Sequence, residues 1–282
     1  MNLGIISKYK VDRETKIGYT LIQDNVEYFL HHNECNGRHL EKNQEVYAFL
    51  YCDKMNRPTL TLHQPLITLN KIEFLQVVSV RNDLGVFCNI GINKDILLSK
   101  DDLPDDYRLW PKINDEILCT LKTTHKNRLI LKPVSKNDII KHEKESHDLM
   151  IGEVVEGICY RITPDGVNFV TKSLDLVFVF KSNFRKDYRI GEVEEIKIID
   201  KHEFDYSGTI TKNKEIQIQD DKAIILDYLN KNNGVMLITD KSSPELINYN
   251  FHMSKSAFKK VIGGLYKDGV IVIMDDKIVL KD

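Results

Sequence analysis

Two kinds of side-chain grouping in this chain could do chemistry. The first is the stretch HHNECNGRH at 31–39, which brings His31, His32, Cys35 and His39 close together. Imidazole nitrogens and a thiolate are zinc ligands. The spacing matches no closed zinc pattern and no second ligand pair follows downstream, so no metal is expected. The second grouping is aromatic: Phe87, Phe29 with His31, and Phe178 with Phe180 stand in strand-like stretches. Rings on an outer barrel face, beside cations, are what stacks unpaired bases. The sequence has no glycine-rich phosphate loop, no nucleophile motif and no paired carboxylates in a recognisable context. Asp101-Asp102 and Asp105-Asp106 fall in a loop and most simply solvate it. No enzymatic activity, cofactor or small-molecule substrate is expected.

The elements that must position these rings are repeated. DLGVFCNIG at 83–91 is followed by DYR at 106–108, and PDGVNFVTK at 164–172 by DYR at 187–189. Gly85 recurs as Gly166 and Asp106 as Asp187, an offset of 81 residues in both cases. One offset across two separate motifs indicates a duplicated unit, and KIGYTLI around Gly18 is a looser copy. Each copy reads as five short strands, the pattern of a small closed OB-type barrel. The fold class expected is multidomain and mainly β. Barrels over 1–64, 65–135 and 149–215 are followed by a C-terminal α/β domain over 216–282. The polar stretch 136–148 reads as a linker helix.

Strand parity then sorts the candidates. Val86, Cys88 and Ile90 take the inward parity, which turns Phe87 outward. Arg81 and Lys94 are the cations assigned to the same RNA site. The alternative for Phe87 is a ring covered by a neighbouring domain. In the third barrel Asn168 stands where Phe87 would recur, so the platform moves to Phe178 and Phe180, with Arg161 and Lys181 beside them. Burial at a domain contact is the competing reading of LDLVFVF. In the first barrel Thr20 replaces the aromatic, and Phe29 and His31 share the outward parity.

From Asp220 the periodicity changes. DKAIILDYLNKNNG reads as a helix ended by Gly234, and SSPELINYN as a second with Ser243 as cap and Pro244 at its first position. Ser254 caps a third, in which Phe258, Val261, Ile262, Leu265 and Tyr266 recur at helical spacing up to Gly269. VIVIMDDKIVL is a hairpin turned at Asp275-Asp276. Three helices and a hairpin make a winged helix-turn-helix. Lys255, Lys259 and Lys260 lie on the outer face of its third helix, and Gly264 there permits close backbone approach.

The strand Gly85-Val86-Phe87, followed by DILLS and DEILCTL, resembles the RNA-binding repeat first seen in a ribosomal small-subunit protein, the S-one domain. The run DKSSPELINYNFHMSKSAFKKVIGGLYKDGVI resembles the winged helix of the bacterial conserved virulence factor B family, in which S-one-type barrels precede that domain. The resemblance covers the whole chain in order. It implies a cytoplasmic RNA-binding protein that influences gene expression, virulence factors included, in a family not known for catalysis. It also matches Phe87 to the family's stacking aromatic and His31 to a position often filled by histidine.

The totals agree with that picture. A net charge of −2 on 282 residues excludes a polybasic binder, so a nucleic-acid site must be a local patch. Residues 135–221 carry 13 basic and 18 acidic side chains, against 9 and 7 over 222–282, which makes the winged helix the more favourable surface. Five scattered cysteines fit a reducing compartment, and no apolar run reaches membrane-spanning length. The expected partner is single-stranded RNA, with RNA-processing or ribosomal proteins as further partners. The competing readings are a DNA-binding transcription factor and a protein-interaction scaffold.

Overall fold

Alternation along Tyr9, Val11, Tyr19 and Leu21 turns one row of side chains inward, and the sheet curls around that row. A computed structural model describes residues 2–142, 148–184, 186–210 and 214–281, the last segment with side chains from 218. In it β1 (Ile6–Thr15), β2 (Gly18–Gln23), β3 (Val26–His31), β4 (Glu45–Cys52) and β5 (Pro58–Thr61) close into a barrel of order β1-β2-β3-β5-β4. The β3–β5 pair is parallel and the other pairs are antiparallel.

The same circuit is built twice more. The second barrel comprises β6 (Ile72–Arg81), β7 (Gly85–Cys88), β8 (Ile96–Ser99), β9 (Glu116–Thr123) and β10 (Leu129–Pro133). The third comprises β11 (Val154–Thr163), β12 (Gly166–Val170), β13 (Leu176–Phe180), β14 (Val193–Lys201) and β15 (Tyr206–Thr209). Each opening strand is ten residues long and shifts register once, at Val11/Arg13, Val77/Ser79 and Cys159/Arg161. A bulge at that point bends the strand, so that it pairs with two partners and the barrel closes.

The barrels are fused rather than strung. From Ala48 onward β4 is buried on both faces, because Phe49 and Tyr51 pack into the core of the second barrel against Leu75, Val77 and Leu121. Lys94 Nζ donates to the carbonyls of Cys52 (2.6 Å) and Asp53 (3.2 Å), and Arg128 Nε to Asn56 Oδ1 (2.9 Å). Barrels two and three meet through Leu118, Val134, Val170 and Leu176, and through an ion pair between Asp115 and Arg189.

The linker helix is shorter than its polar stretch predicts. α1 spans Lys136–Lys141, opens with a capping box between Ser135 and Asp138, and ends at His142. The remainder of that expectation lies partly outside the described residues. Ile139 is buried among Leu118, Val134, Val170 and Leu176, so the helix plugs the joint between two barrels as well as connecting them.

The C-terminal unit has α2 (Lys214–Lys231), β16 (Val235–Met236), α3 (Pro244–Phe251), α4 (Lys255–Lys267), β17 (Ile271–Ile273) and β18 (Ile278–Leu280), with sheet order β16-β18-β17. α2 begins six residues before Asp220, where the periodicity is first readable. β16 is an extra strand too short for a period. Ser243 and Ser254 cap α3 and α4 as expected, accepting from the amides of Leu246 and Ala257. Phe251, Phe258, Val261, Ile262 and Leu265 form the core with Ile225, Leu229 and Ile278. Among the described residues no helix is long and apolar enough to cross a membrane.

Candidate nucleic-acid interface

Register places equivalent side chains in one row across the first three strands of every barrel. The row reads Arg13–Thr20–Phe29, Ser79–Phe87–Leu97 and Arg161–Asn168–Phe178 in chain order. A second row sets a glycine against the last residue of the third strand: Gly18 against His31, Gly85 against Ser99, Gly166 against Phe180. Strands approach closely here. A Cβ on Gly85 would lie 2.1 Å from the carbonyl oxygen of Leu98, and φ of +134° suits glycine alone. So all three barrels offer the same face, furnished differently.

In the second barrel Phe87 is half-buried, since the turn between β9 and β10 closes over its strand face. The ring, Lys94, Leu97, His125, Lys126 and Arg128 line a cleft of about 490 Å³. Asp95 also lines it, yet an aromatic surface with Lys126 and Arg128 at its rim suits a base and its phosphates. Of the two cations assigned from the sequence, Lys94 lines this cleft, but its ammonium is committed to two carbonyls of barrel one. Burial holds its pKa below the ordinary lysine value. Arg81 is not among the lining residues. It ends β6 at the base of the turn into β7, paired with Asp83 at 3.2 Å. His125, Lys126 and Arg128 take the place expected of these two. Their signal in the sequence was HKNR in a hairpin turn, legible as a turn and silent about which face it covers.

Barrels one and three carry their aromatics on the third strand. Phe178 and Phe180 meet edge to face, centroids 4.7 Å apart, with Phe178 half-buried and Phe180 47% exposed. Lys181 follows directly and is exposed. Arg161 lies two strand spacings from Phe178, roughly 10 Å, and lines a separate cleft of about 420 Å³ between barrels two and three. In barrel one Phe29 and His31 are half-buried with rings 6.2 Å apart. His31 Nδ1 accepts from the amide of Asn33, capping the turn after β3, and Ser99 does the same for Asp101. The equivalent of Arg161 there, Arg13, is held by both oxygens of Glu27 at 3.0 and 2.8 Å. That pairing lowers the pKa of Glu27 and raises that of Arg13.

On the winged helix Lys259 and Lys260 are exposed and Lys255 half-buried on α4. Lys259 Nζ lies 3.8 Å from Asp240, a loose pairing, and Lys241 meets the wing-tip Asp275 at 2.9 Å. The open approach expected at Gly264 is occupied: a Cβ there would meet Cε of Lys222 at 3.0 Å. Lys222 crosses from α2 to reach Asp268 at 2.6 Å. Gly263 is the open glycine, where a Cβ would meet nothing within 4 Å. Tyr266, read from the sequence as part of the apolar stripe, is 56% exposed.

Comparison with known proteins fits this architecture. Residues 72–132, the second barrel here, match a family model described as the CvfB first S1-like domain; residues 223–280 match the CvfB-like winged helix domain, and residues 3–63 an S1 domain. A Staphylococcus aureus protein named Conserved virulence factor B is 32% identical over 245 residues, covering 86% of this chain and 81% of that protein. The chain belongs to the conserved virulence factor B family.

Two further relatives span nearly the whole of this chain. The YitL protein of Bacillus subtilis is 29% identical over 262 residues, 93% of this chain and 88% of its own. A crystal structure from Streptococcus pneumoniae TIGR4, described as a multidomain protein with nucleic acid binding domains, aligns with a TM-score of 0.64 at 28% identity over 99% of both chains.

The histidine-rich stretch of this family member holds structure together. His39 Nδ1 bonds Tyr19 Oη at 3.0 Å, His32 packs edge-on to Tyr19, and Cys35 Sγ donates to the carbonyl of His31. Among the described residues no group of three or more His, Cys, Asp or Glu side chains is placed to hold a metal ion. All five cysteines are free thiols and buried.

Proposed function

We propose that this chain is a non-enzymatic, cytoplasmic regulator of gene expression, virulence genes included, that works by binding single-stranded RNA. The observation that carries the reading is the Phe87 cleft: an aromatic face in the wall of an S1-type barrel, rimmed by His125, Lys126 and Arg128. Unpaired bases have a free π-face to lay on such a ring, and duplex bases do not. The Phe178–Phe180 pair beside Lys181 offers a second platform, and the lysines of α4 add phosphate contacts without base discrimination. The Staphylococcus aureus relative is named for virulence, which supports the virulence part of this reading.

A DNA-reading role for α4 has less support. Major-groove readers hydrogen-bond base edges bidentately, chiefly through Arg, Asn and Gln. The sequence of α4, KSAFKKVIGGLYK, contains none of them. Electrophoretic competition of the full chain between single-stranded RNA and duplex DNA of equal length tests the proposal. Displacement of bound RNA by RNA and not by duplex is the expected result; preferential displacement by duplex would overturn it.

A further inference from the structure

The polar face of α4 displays one aromatic ring that the winged-helix core does not use. At 3.6 residues per turn Lys255, Tyr266 and Lys259 share an arc of roughly 40°, and Gly263 lies about 40° beyond Lys259. Phe258, Val261, Ile262 and Leu265 form the core face, which borders the arc on the Lys255 side. Tyr266 is 56% exposed and stands apart from the ring–ring contacts of the core, where Phe251 stacks on Phe258. One turn before it, Gly263 leaves a side-chain-sized gap with nothing within 4 Å. The helix surface beside the tyrosine is therefore a shallow open floor.

We propose that Tyr266 is a base-stacking platform of the winged helix, with Gly263 as the floor beside it and Lys255 and Lys259 holding the flanking phosphates. The occupant is a single-stranded nucleic acid. Charge complementarity selects it: α4 carries Lys255, Lys259, Lys260 and Lys267, and Asp268 at the helix end is engaged by Lys222. Asp240 meets Lys259 only at 3.8 Å, a contact a phosphate can displace. The comparison with α3 is instructive. Tyr249 is more exposed, at 82%, but its helix PELINYNF carries no lysine or arginine to hold a phosphate near the ring. This inference rests on the single-strand RNA reading and adds to it a stacking site outside the barrels.

The test uses the full chain and a fluorescein-labelled unpaired RNA oligomer, with a second oligomer carrying 2-aminopurine. Tyr266→Ala should raise Kd about five- to a hundredfold, the range of one lost base stack, without changing the salt dependence. Tyr266→Phe should bind as wild type, since stacking uses the ring and not the hydroxyl. Quenching of 2-aminopurine should fall in Tyr266→Ala and persist in Tyr266→Phe. The position is exposed, so both variants should keep the wild-type circular dichroism spectrum and Tm. Equal loss in both variants would make the hydroxyl the contact and overturn the platform. Wild-type affinity and quenching in Tyr266→Ala would overturn it too, while leaving the RNA reading intact as long as the wild-type chain binds. Absence of RNA binding by the wild-type chain would remove both.

Discussion

Lys94 and Arg128 both line the Phe87 cleft, and their partners separate their roles. Lys94 reaches two carbonyls 41 and 42 residues earlier in the chain, whereas Arg128 spends only its Nε on Asn56 and keeps the rest of its guanidinium for the cleft. Replacing Lys94 by Met should therefore cost stability more than binding. Two carbonyls lose a charged donor, an effect of about 1–3 kcal/mol. Calorimetry should show the earliest unfolding transition moving down while the RNA salt slope stays at the wild-type value. A slope lowered by about 0.7 at unchanged Tm would return Lys94 to the phosphates. The outward turn of Phe87 was legible from the sequence because strand parity is a local property. The fate of Lys94 was not, since nothing near residue 94 reports that barrel one supplies its acceptors.

At the scale of elements, strands and caps were readable and their neighbours were not. The strands of barrels two and three follow from alternation and the 81-residue repeat, and those of barrel one from a looser copy, yet the repeated DYR triplet performs two different jobs. Tyr107 is 63% exposed and Arg108 pairs locally with Asp106, while Tyr188 is buried on Phe169 and Arg189 crosses to Asp115 of the second barrel. Duplication copies a motif, and packing decides its use. The register shift of one residue between the hairpins Arg81–Gly85 and Thr163–Gly166 likewise moves the opening strand: Arg161, and not Tyr160, aligns with Asn168. α4 gives the prediction that belongs here. If Lys255, Lys259 and Lys260 each neutralise one phosphate, the triple alanine variant should lose about two units from the log–log salt slope on single-stranded RNA. Fluorescence titrations at several salt concentrations measure this directly, and an unchanged slope would take α4 off the RNA track.

Over the whole molecule, the barrels behave as one fused body because outward faces of one become core for the next. Phe49 and Tyr51 belong by sequence to barrel one and by packing to barrel two. Arg189 and Asp115 do the same electrostatically between barrels two and three, with side chains only 18% and 15% exposed. A pair this sheltered is costly to break on one side. Arg189→Met should destabilise by about 3–5 kcal/mol, and Arg189→Met with Asp115→Leu should recover much of the loss, as measured by calorimetric Tm. Equal destabilisation by the single and double variants would show that the pair carries no such coupling. Fusion also explains why the cleft at Phe87 is partly enclosed: its cationic turn is tied through Arg128 and Asn127 to barrel one.

Single-strand RNA recognition at that cleft is best tested by equilibrium anisotropy of the full chain on a labelled RNA oligomer, comparing wild type with Phe87→Ala and Phe87→Leu. Leucine keeps most of the volume of the half-buried ring and removes its π-face, so it separates stacking from packing. Both variants should lose about 1–3 kcal/mol of binding, roughly five- to a hundredfold in Kd, with leucine retaining the wild-type Tm. Wild-type affinity in a folded Phe87→Leu chain would contradict the account of the cleft as the RNA-stacking site.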